Sequence, residues 1–175
     1  MESTSASPTA RRVRIGAGAG YSGDRIEPAV ELVRHGQLDY LVFECLAERT
    51  IAIAQQARRR DPTQGYDPLL EARMQAVLPV AVANGVRVIS NMGAANPLGA
   101  ARKTAQIARS LGLHQLRIAA IHGDDVLDRI LAGAFRFEES GDEVALFRDR
   151  IVSANAYLGA APIVEALRAD ADIVL

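Results

Sequence analysis

Four short β-type runs in this chain each end in a polar turn rich in Gly, Asn or Asp, and each turn opens into a helical pattern. Val13–Ile15 leads into Gly16–Asp24, Leu41–Phe43 into Glu44–Glu48, Val86–Ile89 into Ser90–Pro97, and Ile118–Ile121 into His122–Asp125. This alternation leaves few folds open. Strands joined through helices run parallel, and a parallel sheet needs helices to cover it. The expected class is α/β: a mainly parallel sheet with helices on both faces, built from alternating βα units. In such folds ligands gather at the C-terminal ends of the strands. The pattern therefore locates a site before it says anything about a reaction.

The helical segments carry their own punctuation. Glu27–His35 has Pro28 in its first turn and Gly36 at its end, as helix starts and stops prefer. Ala47–Arg60 closes on Arg58–Arg60, cations at the negative end of a helix dipole. Leu69–Asn84 places Leu70, Met74, Val77, Leu78 and Ala81 on one face and stops at Asn84-Gly85. Pro97–Leu111, closed by Gly112, and the shorter Asp125–Leu131 and Pro162–Arg168 complete the set. Ala134–Arg150 is acidic, contains Gly141, and reads as a β-hairpin or a lid. Ile173–Leu175 reads as a core strand, and the chain resembles the N-terminal piece of something longer.

Charge and composition exclude several classes. Lys+Arg 20 against Asp+Glu 21 gives a net charge of −1, without the basic excess a general nucleic-acid binder needs to neutralise phosphates. Aromatics make up 5% and Trp is absent, which argues against a stacking platform for single strands. No apolar run approaches the ~20 residues of a membrane span. Residues 1–11 read as a disordered Ser/Thr/Pro-rich tail ahead of an α/β domain at 12–175, and no secretory signal is recognisable. The expected location is the cytoplasm. Cys45 is the one cysteine, so no internal disulfide forms, and its place after an apolar strand reads as buried and inert.

Gly18-Ala19-Gly20-Tyr21-Ser22-Gly23 matches G-x-G-x-x-G, and Glu44 ends the second strand where a dinucleotide fold keeps its ribose-binding acid. Against this reading, Asp24, Glu27 and Pro28 delay the helix and put negative charge where a pyrophosphate would sit. A close-approach loop for another ligand and a purely structural turn stay open beside it.

Taken together, several strings resemble one family. Arg14-Ile15-Gly16 through Gly23-Asp24-Arg25, LDYLVFECLAERT (Leu38–Thr50), RRRDPTQGYDP (Arg58–Pro68), VISNMGAANPLGAA (Val88–Ala101), HGDD (His122–Asp125) and SANAYLGAAPIVEAL (Ser153–Leu167) resemble, in this order, the N-terminal domain of the acyclic terpene utilisation (AtuA-like) family. The resemblance implies an association with breakdown of acyclic terpenes through acyl-CoA intermediates, without assigning a reaction. It also implies a longer chain, in which a Thr-Gly-Arg motif follows the last strand.

The candidate site residues follow from the strand ends. Glu44, Glu48 and Asp124 are the candidate catalytic groups, carboxylates suited to acid–base work on a carbonyl or thioester. Glu44 and Glu48 follow an apolar strand, where a buried unpaired carboxylate is costly. Gly18, Gly20, Ser22, Asp24, Asn91, Asn96, Ser153 and Asn155 are the candidate substrate-binding positions. Asp24 and Asp124 have alternative roles as helix caps, and Asn96-Pro97 is a good helix-start pair. His122, Asp124 and Asp125 with Glu44 fit hard-cation ligand types only loosely, so no metal is assigned, and no cofactor is assigned either. Ser153 lacks the G-x-S-x-G setting of a nucleophile.

The expected function is a catabolic enzyme, or a domain of one, acting on terpenoid or branched acyl-CoA compounds. The alternatives are a nucleotide-binding oxidoreductase and a non-catalytic subunit of an acyl-CoA-processing complex. The expected partners are a small-molecule substrate, with a CoA thioester among the candidates, and either a second copy of the chain or a missing C-terminal half. Nucleic acid and membrane are not expected partners.

Overall fold

The computed structural model describes residues 12–175; the tail expected over 1–11 lies outside them. Five strands form one all-parallel sheet: β1 (Ile15–Ala19), β2 (Tyr40–Phe43), β3 (Arg87–Ser90), β4 (Ile118–Ala119) and β5 (Ile173–Val174), in the order β1-β2-β3-β5-β4. Six α-helices lie between them: α1 (Glu27–His35), α2 (Glu48–Arg60), α3 (Leu70–Ala83), α4 (Pro97–Ser110), α5 (Leu127–Ala132) and α6 (Ala161–Arg168). A 3₁₀ helix spans Val144–Arg150. Among the described residues no helix is long and apolar enough to cross a membrane.

Strand alternation divides the sheet into two unequal faces. Leu41, Phe43, Val88 and Ile173 are buried against Ala29 and Val33 of α1, Leu70, Met74, Val77, Leu78 and Ala81 of α3, and Ala100 and Ile107 of α4. The other face carries the register row Ala17, Val42, Ile89, Val174 and Ala119. There Ile163 of α6 shares a cavity with Val42, Ile89 and Val174. Beyond α6 this face is open toward β1, where Ile15 is 66% exposed.

The first strand runs further than its sequence suggests. It continues through Gly16 and Gly18 to Ala19 and carries a bulge, because Ala17 pairs with Val42 while Ala19 pairs with Phe43. Glycine is required at this point: a Cβ on Gly18 would stand 2.7 Å from the Phe43 ring. The extra residue in the bulge lets the aromatic ring lie against bare backbone.

Helix punctuation is largely as expected. Pro28 and Pro97 occupy first turns, and Asn96 caps α4 by accepting from Gly99 N–H at 3.0 Å. Gly85 and Gly112 follow α3 and α4 with φ of +65° and +77°, the left-handed conformation that only glycine adopts cheaply. The acidic stretch 134–150 is a hairpin-like turn, with an antiparallel bridge between Arg136 and Glu143, running into the 3₁₀ helix.

Candidate functional site

Glu44, Asn91 and Asp124 emerge from the ends of three different strands and converge on one rim. Glu44 is the first residue after β2 and Asn91 the first after β3. Asn91 Nδ2 donates to Glu44 Oε1 at 2.9 Å, and Asn91 Oδ1 accepts from Cys45 N–H at 2.7 Å. Leu46 N–H donates to the same Glu44 oxygen at 3.1 Å. The Glu44 carboxylate is thus exposed yet held in place, and Asn91 earns its strand-end position by tying the β2 and β3 turns together.

The second half of the rim comes from the β4 turn and the segment before α6. Asn155 Nδ2 donates to Asp124 Oδ2 at 2.8 Å, and Ala156 N–H to Asp124 O at 2.7 Å. Asp125 and Asn155 form an isolated antiparallel bridge, which Gln55 of α2 approaches at 3.4 and 3.5 Å. Tyr157 OH donates to Glu48 at 3.3 Å. Both Glu44 and Glu48 are exposed, so the cost of a buried carboxylate does not arise for either of them.

Two adjoining cavities open on this rim. One, of about 270 Å³, has an apolar floor that includes Val42, Ile89, Ile121, Ile163 and Val174, and reaches Glu44, Asn91 and Asp124 at its polar edge. The other, about 450 Å³, lies between Glu48 and Ile51 of α2 and residues Asn155–Gly159 and includes the same three polar side chains. Five of the sequence-selected residues, Glu44, Glu48, Asn91, Asp124 and Asn155, therefore share one groove. Its oxygens and amides offer acceptors and donors to a polar head group beside an apolar floor, an arrangement common in small-molecule sites.

The remaining candidates lie elsewhere. Gly18 sits in β1 against Phe43, and nothing stands within 4 Å of a Cβ built on Gly20. Asp24 accepts from Gly20 N–H (3.0 Å) and Arg25 N–H (2.9 Å), bonds that hold its carboxyl below the usual range; the residue capping α1 is Ile26. Asp124 does not cap α5, whose N-cap is Val126. Asn96 is engaged in its cap and in bonds to Pro62 O and Gln64 O. Ser153 faces a different depression with Gln55, Arg58 and Arg59. The glycine string does not make a dinucleotide turn: Gly18 is still strand, and α1 begins only at Glu27. Among the described residues no three His, Cys, Asp or Glu side chains converge to hold a metal ion.

Two residues that the sequence reading passed over organise the glycine loop. Arg73, fully buried, interrupts the apolar face of α3. Its Nη2 donates to Ser22 O (2.8 Å) and Asp24 O (2.9 Å), and its Nη1 reaches Cys45 Sγ (3.2 Å) and Asp67 Oδ1 (3.4 Å). Asp67, also buried, accepts from Ser22 Oγ (2.6 Å) and Leu69 N–H (2.8 Å). The signal was present, since an arginine one residue before Met74 falls on the buried stripe. Cys45 beside it is buried, which pushes its thiol up to about 11.

Comparison with known proteins gives one family. The model described as "Acyclic terpene utilisation family protein AtuA" matches residues 13–175. No curated protein and no solved structure matches the chain.

Proposed function

The chain belongs to the acyclic terpene utilisation family AtuA, and from that premise we propose that its groove binds a small branched terpenoid compound as part of a catabolic enzyme. The observation that carries this reading is the cavity of about 270 Å³ with aliphatic walls and a polar edge of Glu44, Asn91 and Asp124. Its size lies just under the ~300–1,000 Å³ of drug-sized pockets, which suits a short aliphatic chain. Two carboxylates at the edge repel a free carboxylate, so the favoured head group is neutral: an alcohol, an aldehyde or a thioester.

In this reading Glu44, oriented by Asn91 and Leu46 N–H, serves as the acid–base group, and Asp124, oriented by Asn155, is the second. A CoA thioester would enter acyl end first, with its phosphates left outside the acidic rim. The test is a thermal-shift series with branched acyl-CoA esters, terpenoid alcohols and aldehydes, and NAD(P), run on the wild type and on Ile163→Trp, which fills the apolar floor. Ligands that bind the folded state raise its melting temperature. Stabilisation by branched compounds that Ile163→Trp removes supports the proposal. Stabilisation by NAD(P) alone, or by nothing in the series, overturns it in favour of the oxidoreductase or the non-catalytic subunit.

A further inference from the structure

On the far side of Leu46 and Asn91 lies a separate cavity of about 450 Å³, enclosed by α2, the 64–68 turn and the glycine loop. Ile53, Ala54, Ala57 and Tyr66 form much of its wall; Ser22 and Asp67 make a polar end, and Thr50, Gln64, Glu71 and Asn91 are its other polar lining residues. It contains neither Glu44 nor Asp124 and shares with the groove of the proposed function only Leu46, Asn91 and Ala94, the wall between them.

The polar end is built at a cost. A buried Arg–Asp pair is commonly no more stable than apolar residues of the same volume, and here Arg73 Nε has no hydrogen-bond partner at all. That expense fixes Ser22 from two sides. Arg73 holds the Ser22 carbonyl, while Asp67, neutralised by Arg73, accepts a hydrogen bond from the Ser22 hydroxyl at 2.6 Å. A hydroxyl has one proton to give. Ser22 donates it to Asp67 in a hydrogen bond, so the hydroxyl oxygen meets the cavity as an oriented acceptor, and Asp67 Oδ2 beside it is an acceptor as well.

We infer that this cavity is a second ligand site, which takes a small aliphatic molecule through one hydrogen-bond donor, a hydroxyl or an amine, placed on Ser22 and Asp67. Its apolar wall selects the chain and its acceptor pair selects the donor. A carboxylate offers these two acceptors no donor, and an ether leaves Ser22 unmatched.

The experiment uses octanol, its methyl ether and octanoate as probes, titrated into isotope-labelled protein and followed by amide chemical shifts. Octanol is expected to shift Ser22, Ala57 and Tyr66, and to bind about tenfold more tightly than the ether, the size of one net hydrogen bond. Ser22→Ala, which leaves Asp67 as the one acceptor of the pair, is expected to narrow that difference. Ala57→Phe, which fills the cavity, is expected to abolish binding, while Ile163→Trp leaves it intact. Equal affinity for alcohol and ether, absence of these shifts up to the solubility of octanol, or binding lost in Ile163→Trp but kept in Ala57→Phe would each overturn the inference. The wild-type comparison of alcohol with ether needs no variant to fold, and the Ile163 arm separates this site from the other groove.

Discussion

Replacing Arg73 by methionine tests the logic of the loop anchor most directly. Methionine keeps much of the aliphatic stem and removes the charge. What remains is Asp67, with a side chain only 4% exposed, and two loop carbonyls at Ser22 and Asp24 without their donor. Removing one partner of a buried ion pair costs about 3–5 kcal/mol. The carbonyls belong to a half-buried loop that water can reach, so they add little. The expected loss of about 4 kcal/mol is a large share of the ~5–15 kcal/mol that stabilises a domain. For a chain of this size it corresponds to a fall in Tm of about 8–16 °C. Urea unfolding of Arg73→Met, Asp67→Asn and the double variant supplies the assay. Neutralising Asp67 relieves the stranded charge, so the double variant should be more stable than the sum of the single losses implies, with a coupling of about 1–3 kcal/mol. A loss under about 1 kcal/mol, or a coupling under about 0.5 kcal/mol, would refute the account of Arg73 as the partner that makes a buried Asp67 tolerable.

Further expectations concern single groups. Gly18→Ala forces a methyl into the Phe43 ring and should cost about 1–3 kcal/mol, as overpacking does; an unchanged urea midpoint would mean that the bulge moves freely. Cys45 stays a protonated thiol until about 11, so iodoacetamide at mildly alkaline pH should label it only as fast as the protein opens, and rapid labelling in native buffer would contradict its burial. Asp24 has its carboxyl lowered by the Gly20 and then the Arg25 amide. A depressed folded value adds stability that is complete above the ordinary carboxylate range and is lost as pH falls through the folded value. Asp24→Asn should therefore be less stable than wild type at neutral pH, with the gap closing in acid; a gap that stays constant down the acid limb rules this out.

The fold was legible where local signals are strong. Pro28, Asn96-Pro97, Gly85 and Gly112 mark helix ends through backbone chemistry that is confined to one turn, and their positions follow. Glycines 16 and 18 misled in the other direction. Read one residue at a time they signal a loop, yet the reason for Gly18 is a ring from the neighbouring strand, a contact no local pattern encodes. The groove was legible for Glu44, Asn91 and Asp124 because strand ends in a parallel sheet meet by topology. Ser153 was expected on the same rim as Asn155, but the two residues line different depressions. Tyr157 and Glu48, and Arg73 with Ser22, meet across long stretches of chain, so only the folded packing brings them together.

The strand order bears on how the protein comes into being. β1, β2 and β3 are neighbours in sequence and in space, so they can pair as each leaves the ribosome. β4 cannot: among the described residues its one neighbour in the sheet is β5, and Ile118 waits for Ile173 while Ala119 waits for Val174. Until then the newly made β3 edge, with Val88 and Ile89, stands unpaired, the kind of exposed edge that recruits wrong strands during synthesis. A stall of translation between the two segments would strand a half-sheet, and β3 and β4 are joined only when the late strand slips between them.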